Sequence, residues 1–346
     1  MRVVAAMSGG VDSSVVAGLL LEQGHEVIGV HMKLHDVEEG EAGHCCGLDD
    51  ALDARMVADK LGIPFYVMDL REAFRKAVMD DFAANYKAGR TPNPCVRCNG
   101  VLKFRVLLQR AKALGASHLA TGHYAKVTPE GGLYRAVDHQ KDQSYFLFPA
   151  AREAFQQTLF PLGGMTKDEV RAHARRLSLI TSSKPDSQEV CFIPDDDHTR
   201  FVKEHLGNPD AGGDIVDEQG NVLGQHDGYF RYTIGQRRGL GVAVGHPLYV
   251  LRIQAASKRV VVGPAERLLE QGLQASDINW FRKPAPGEQV MARIRHNGGL
   301  IPATVEGEDP IRVHFQAPAR AVAPGQAVVL YAGDEVLGGG WIDTAL

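Results

Sequence analysis

The feature that most constrains the fold lies at the start of the chain. Arg2-Val3-Val4-Ala5-Ala6 runs through Met7 into Ser8-Gly9-Gly10-Val11-Asp12-Ser13-Ser14, and an amphipathic segment from Ser13 to Gln23 comes next and stops at Gly24. A short apolar run, two adjacent glycines and a helical pattern spell strand, tight turn and helix, the opening of a βα unit. The glycines let the backbone bring its N–H groups against an anion, and the start of the helix adds positive partial charge. The hydroxyls of Ser8, Ser13 and Ser14 add donors. The P-loop lysine is missing, so a triphosphate need not be held as a P-loop holds it. A Gly-rich turn with Asp12 or Ser13 serving only as a helix cap is the plainer alternative. The full pattern SGGxDSS behind an apolar strand favours a phosphate cradle.

The alternation continues downstream. Val27 to Met32 reads as a buried strand, 48–61 as a helix closed by Gly62, and Pro64 to Met68 as a strand. Helical patterns over 71–88 and 101–114 end at Gly89 and Gly115, and Ser117 to Thr121 is a further strand. Glycine at a helix end fits the left-handed cap position. Alternating β and α elements predict α/β architecture with a doubly wound parallel sheet, whose ligands bind beyond the carboxyl ends of the strands. Residues 166–178 are again helical. Residues 207–245 are Gly-rich with short strand-like runs. The stretches 289–295, 301–306, 311–315, 326–331 and 335–342 read as strands separated by turn residues, the spacing of a small barrel or sandwich. We expect an α/β catalytic domain over 1–199, a small central Gly-rich α+β domain over 200–268 and a C-terminal antiparallel β-barrel over 269–346.

With 44% apolar and 23% charged residues in 346, the chain is not a disordered one. No apolar stretch approaches the ~20 residues of a membrane span, and the first residues lack a signal-peptide pattern, so cytoplasmic residence is expected. The net charge of −4 conceals two basic tracts: seven basic residues and no acid from Lys87 to Lys112, and six with no acid from Gly228 to Ala265. Such tracts suit a phosphate backbone.

Five cysteines are too few for a disulfide scaffold, which leaves metal or redox chemistry. Thr91-Pro92-Asn93-Pro94-Cys95-Val96-Arg97-Cys98-Asn99 holds a C-x-x-C pair on a loop between two helical patterns. Arg97 and its basic neighbours would favour a thiolate. Cys191 comes 93 residues after Cys98, between two polar clusters that suggest a loop. Cys45 and Cys46 are adjacent, an awkward chelate for one tetrahedral ion, and read as free thiols.

The first loop resembles that of the pyrophosphatase-loop ATPases. The ordered set of that loop, TPNPCxxCN, Ala120 to Tyr124 (ATGHY), Lys141 to Leu147 (KDQSYFL), SQEVCFIP and Tyr232 to Gly241 (YTIGQRRGLG) resembles the tRNA-specific 2-thiouridylases. Ala323-Pro324-Gly325-Gln326 and Leu337-Gly338-Gly339-Gly340 also match. The resemblance implies that ATP is held by Ala6, Met7, Ser8, Gly9, Gly10, Val11, Asp12 and Ser13, with Met32 and Gly122, and that Asp12 lies near a magnesium ion. It implies catalysis by Cys98 and Cys191: Cys191 carries a persulfide received from a sulfur-relay protein, and Cys98 attacks it. Asn93, Pro94 and Cys95 would face the target base. His123, Lys141, Asp142, Gln143, Arg295, His296 and Gln326 would meet tRNA, although Arg295-His296-Asn297-Gly298 departs from the family's usual run. A rival account places a [4Fe–4S] cluster on Cys95, Cys98 and Cys191. A monomer is expected, since nothing demands a dimer. The competing functions are a 4-thiouridine or 2-thiocytidine synthetase, an amide-forming ligase, and a non-catalytic tRNA-binding protein with a metal-stapled loop.

Overall fold

A computed structural model describes residues 1–36, 48–186, 190–193, 195, 197–242 and 244–346. Most of the acidic run after Asp36, His44, Cys45, Cys46, Ser187 to Glu189, Pro194 and Asp196 lie outside the described residues. In chain order the elements are β1 (Arg2–Ala6), α1 (Val11–Glu22), β2 (Glu26–Lys33), α2 (Leu48–Leu61), β3 (Phe65–Asp69), α3 (Arg71–Phe74), α4 (Asp80–Lys87), α5 (Pro94–Arg97) and α6 (Leu108–Ala113). Then come β4 (His118–Ala120), β5 (Ala125–Val127), β6 (Leu133–Arg135), α7 (Arg152–Phe155), β7 (Thr158–Leu159), α8 (Lys167–Arg176) and α9 (His198–His205). The rest is strand: β8 (Gly213–Val216), β9 (Val222–His226), β10 (Tyr249–Gln254), β11 (Arg259–Gly263), β12 (Leu269–Trp280), β13 (Val290–Arg293), β14 (Ile301–Gly307), β15 (Ile311–Arg320), β16 (Ala327–Ala332) and β17 (Glu335–Ala345). These form two compact units, one of residues 1–78, 95–196 and 334–336, the other of 79–94, 197–333 and 337–346.

The first unit carries a parallel sheet of order β3-β2-β1-β4-β7. The chain leaves β1 toward β2 and β3 on one side, and β4 and β7 fill the other. The carboxyl ends of β1 and β4 therefore mark the switch point where such sheets bind ligands. Helix α1 packs over this point and is buried along most of its length, with Val15, Val16, Leu19 and Leu20 meeting Val3, Ala5, Val57 and Val170. Each such aliphatic side chain contributes about 1.5–3 kcal/mol on burial. Gly18 permits a close approach of α8: a Cβ there would lie 2.5 Å from Leu177 Cδ1. Leu177 follows the last turn of α8, so this contact joins the later parts of the two helices, while Lys167 and Asp12 join their starts.

Two helices differ from their sequence reading. The 71–88 segment is helical but widens into a π turn over Arg75–Met79. The C-x-x-C pair, expected on a loop, lies on helix: Pro94 opens α5, and a π-helical stretch runs from Cys98 to Leu107. Proline suits a first helical position because its missing N–H has no partner to lose there. A wide turn of this kind is common at functional sites.

In the second unit, β8 to β11 form a sheet of order β10-β11-β8-β9, and β12 to β17 close into a six-stranded antiparallel barrel of order β12-β15-β14-β13-β16-β17. Its core includes Leu273, Val313, Val328, Leu330, Leu337 and Ile342. The longest strand, β12, is absent from the sequence reading because Gly272, Asp277 and register shifts interrupt its alternation. No helix among the described residues is long and apolar enough to cross a membrane.

Candidate active site

Three groups of side chains gather in the first unit. The first is the loop after β1. Gly9 adopts φ +81°, and a Cβ there would fall 2.3 Å from the Asp50 carbonyl oxygen, so only glycine fits. The Ser8 N–H donates to Ser13 Oγ (3.1 Å), and the hydroxyls of Ser13 and Ser14 donate to the Gly10 carbonyl at 3.2 and 2.8 Å. Gly10 precedes α1 and supplies no side-chain cap, which leaves the first-turn N–H groups to a ligand. Gly122, after β4, lies against this turn; its Cβ would sit 3.0 Å from the Ser13 nitrogen. Met7 is buried, so a nucleotide would meet it through backbone. Its carbonyl is fixed by His31, whose Nδ1 donates at 2.9 Å. Burial pushes the His31 imidazole toward its neutral form, which outweighs Met7 and Asp50.

The second group surrounds Asp12. Lys167, the first residue of α8, donates to both Asp12 oxygens at 2.8 Å and to Asp186 Oδ1 at 2.8 Å. Tyr124 donates to Asp12 Oδ1 at 2.8 Å. Burial and then the Asp12 charge push the Tyr124 phenol well above its ordinary range. Asp186 also accepts from Lys141 (2.7 Å) and Arg171 (3.3 Å). Burial opposes its charge, but Lys141 and Lys167 outweigh this and hold its carboxyl below the usual range. Both Asp12 oxygens thus accept from one ammonium.

The third group holds the cysteines. Cys95 is exposed, and Cys98 and Cys191 are half-buried. Burial raises the thiol of Cys98 to about 12. The expectation of easily ionised thiols is therefore not met. The cation that draws Cys95 and Cys98 down is the ammonium of Lys103, one of the basic neighbours of Arg97 expected to favour a thiolate. Cys191 lies close enough to repel a thiolate on either. Lys103 Nζ meets His123 Nε2 at 3.3 Å, and His123 Nδ1 meets Thr121 Oγ1 at 2.7 Å. Burial, then Lys103, drives the His123 imidazole far toward its neutral form. Lys103 accordingly donates to Nε2, and the Nδ1–H donates to Thr121. Burial also opposes charge on His35, but Cys191 facing its ring and the Asp36 carbonyl outweigh that and hold its imidazole above the ordinary range. Among the described residues no three His, Cys, Asp or Glu side chains converge to hold a metal ion.

The residues expected to meet tRNA fall in both units. His123 is 9% exposed and Asp142 1%. Asp142 accepts from the Ala136 and Ser144 N–H groups and from the Ser144 hydroxyl. Gln143 Oε1 accepts from the Tyr124 N–H at 3.1 Å. In the second unit, Gln326 Nε2 donates to the carbonyls of Thr91 and Pro92 at 3.1 Å, which straps the segment leading to Asn93 and Pro94. Arg295 donates to the carbonyls of Ile234 and Ala321, and His296 is half-buried beside it.

Sequence reasoning missed Lys167, Lys103, Tyr124, His31 and His35. A lysine in the first turn of a helix opposes the helix dipole, and a histidine within an apolar strand calls for a partner; both are signals. Lys103 carries none.

Residues 1–195 match the family model described as the tRNA methyl transferase HUP domain. Residues 199–264 match the tRNA methyl transferase PRC-barrel domain, and 270–342 the aminomethyltransferase beta-barrel domain. The chain is 51% identical over 358 residues to the tRNA-specific 2-thiouridylase MnmA of Geobacter metallireducens, covering 100% of this chain and 97% of that protein. It is 52% identical to the protein of the same name from Geotalea uraniireducens (100% and 96% covered) and 49% identical to that of Carboxydothermus hydrogenoformans (100% and 98%).

Proposed function

The chain belongs to the tRNA-specific 2-thiouridylase family, and from that premise we infer that it is a tRNA-uridine 2-sulfurtransferase that consumes ATP and acts on the wobble uridine, U34. The observation that carries the reading is the proximity of Cys98 and Cys191, far apart in sequence, with the Lys103 ammonium near Cys98, in the unit that also holds the loop over residues 8–14. The descriptions of the family models speak of methyl transfer. A phosphate loop together with thiols suits sulfur transfer better.

A uracil carbonyl resists substitution because its oxygen leaves poorly. In the proposed reaction that oxygen attacks the α-phosphorus of ATP, the bond to the β-phosphate oxygen breaks, and pyrophosphate departs with the electron pair. A donor protein leaves a persulfide on Cys191. The Cys98 thiolate attacks the Cys191 sulfur, so a Cys98–Cys191 disulfide forms and the terminal sulfur leaves as hydrosulfide. Hydrosulfide adds to C2 and AMP departs with the former carbonyl oxygen. An external thiol then reduces the disulfide. Lys103 favours the anionic sulfur at each stage. To reach these groups the base leaves its stack. A magnesium ion bound with the nucleotide would be held by Asp12 and would offset the charge of the phosphates.

The test is mass spectrometry of nucleosides from tRNA incubated with protein, ATP and a persulfide donor, with AMP and pyrophosphate measured in parallel. Wild type should yield 2-thiouridine. Cys98→Ser and Cys191→Ser should lose at least about a thousandfold of it, as when a covalent nucleophile is removed. Undiminished 2-thiouridine in both variants would overturn the cysteine roles.

A further inference from the structure

The proposed reaction ends with Cys98 and Cys191 joined. Both sulfurs belong to half-buried residues, which a thiol from solution reaches poorly, whereas Cys95 is exposed. After burial and the Lys103 ammonium, the charges that bear on Cys98 are those of Cys191 and then Cys95, so the three thiols share one locality.

Local structure gives Cys95 a particular relation to Cys98. Helix α5 starts at Pro94, so Cys95 lies in its first turn, and Cys98 opens the π-helical stretch that follows. Residues three apart on a helix share a face, with Cβ atoms about 5–6 Å apart. A disulfide needs about 3.5–4.5 Å. The first turn of a helix is where so small a closure is easiest, because its leading N–H groups have no intrahelical bond to break. A bridge closed against helical geometry is nevertheless strained, and strained, exposed disulfides are the readily reduced ones. A bridge from Cys98 to Cys191 closes a loop of 93 residues instead, the more stable kind. One bridge suits formation inside the site, and the other suits removal at its surface.

We propose that Cys95 is the resolving thiol of the sulfur transfer, which takes Cys98 over from Cys191 and presents the disulfide to an external thiol. The inference rests on the Cys98–Cys191 disulfide of the proposed reaction. The Cys95 thiol gives its proton to solvent, and its sulfur attacks that of Cys98. The Cys98–Cys191 bond breaks, the electron pair leaves on Cys191, and Cys191 takes up a proton. An external thiol then attacks the Cys95 sulfur and releases Cys98, and a second frees Cys95. Two external thiols depart as one disulfide, and the three cysteines return as thiols. Cys191 is thus free for the next persulfide before the reductant acts.

A single turnover of the full chain tests it, started from the Cys191 persulfide with ATP and a tRNA transcript, without reductant, and stopped with iodoacetamide. Peptide mass spectrometry should recover a Cys95–Cys98 bridge alongside Cys98–Cys191, with alkylated Cys191 in an amount matching the first. Cys95→Ser should give the Cys98–Cys191 bridge alone. With glutathione as the only reductant, Cys95→Ser should slow its later turnovers at least about tenfold relative to its own first, because the remaining bridge is poorly accessible. Dithiothreitol in excess should restore them. A merely structural Cys95 would slow first and later turnovers alike and would not respond to the reductant. The Cys98–Cys191 bridge alone in wild type, or later turnovers of Cys95→Ser that keep pace with its first, would overturn the proposal. No bridge among the three in wild type, or undiminished 2-thiouridine without Cys98 and Cys191, would instead remove the reaction on which it rests, and the proposal with it.

Discussion

Two lysines in the first unit are held in opposite ways. Lys167 rests on carboxylates, with three charged acceptors within 2.8 Å, so its charge is matched in place. Lys103 rests on a neutral imidazole at 3.3 Å, so its orientation is fixed while its charge stays available to Cys95 and Cys98. A carboxylate partner stores a cation, and an imidazole partner aims one. In the proposed reaction the same difference separates the two clusters, one meeting oxyanions that arrive with their own charge, the other thiols that must acquire it.

The comparison breaks most directly at Lys103. Lys103→Met removes the cation that, among the described residues, lowers the Cys98 thiol, against burial that lifts it to about 12. Sulfur transfer at neutral pH should fall about 10–100-fold, the worth of one to two pKa units, with pyrophosphate release retained. Equal loss of both activities would show that the lysines are not specialised. A raised thiol also fixes the sign of the pH dependence. Only a small fraction of Cys98 is thiolate at pH 7, and that fraction grows with pH, so sulfur transfer from a preloaded Cys191 persulfide should climb about tenfold per unit from pH 7 to 9. Single-turnover rates across that range provide the check. A plateau below pH 8 would mean that bound substrate lowers the thiol.

The loop over residues 8–14 was legible because neighbouring residues encode it: apolar strand, glycines, hydroxyls and helix succeed one another without a gap. The barrel was legible through alternation, except β12, where Gly272 and the register shifts break the period. The cysteines were identifiable as types and spacing, but their ionisation was not. Reading basic neighbours as thiolate stabilisers ignored burial, which dominates for Cys98 and raises its thiol. Lys167 and Lys103 were hidden for a topological reason. Each acts on a residue from another part of the chain, 155 positions away for Asp12 and 20 for His123. Gly18, which lets α8 lie against α1, gives no local sign of the pair it permits.

A smaller effect sharpens the picture of Lys103 as an aimed charge. Thr121→Val keeps the shape of the side chain and removes the oxygen that receives the His123 Nδ1–H at 2.7 Å. A buried N–H without a partner costs about 1–3 kcal/mol. The ring can avoid that cost by moving its proton to Nε2, where it would face the Lys103 ammonium. Sulfur transfer should drop about three- to tenfold, since the ammonium is displaced rather than removed, and pyrophosphate affinity should not change. The nitrogen chemical shifts of His123 would report the exchange of tautomer directly.

The smallest expected effect concerns stability at alkaline pH. The Cys98 thiol titrates near 12 in the fold and near roughly 8.5 in an unfolded chain. The neutral form is thus favoured by folding. Its contribution is complete below the unfolded value and is lost as pH rises toward the folded one, because the unfolded chain releases the proton first. Wild type should lose up to about 1.4 kcal/mol per pH unit from this thiol above pH 9, less where solvent reaches the half-buried sulfur. Cys98→Ser does not titrate there and should show a correspondingly shallower decline in urea unfolding between pH 8 and 10.5. Identical slopes would mean that the sulfur is solvated well enough to ionise in the fold, and the burden on Lys103 would then be light.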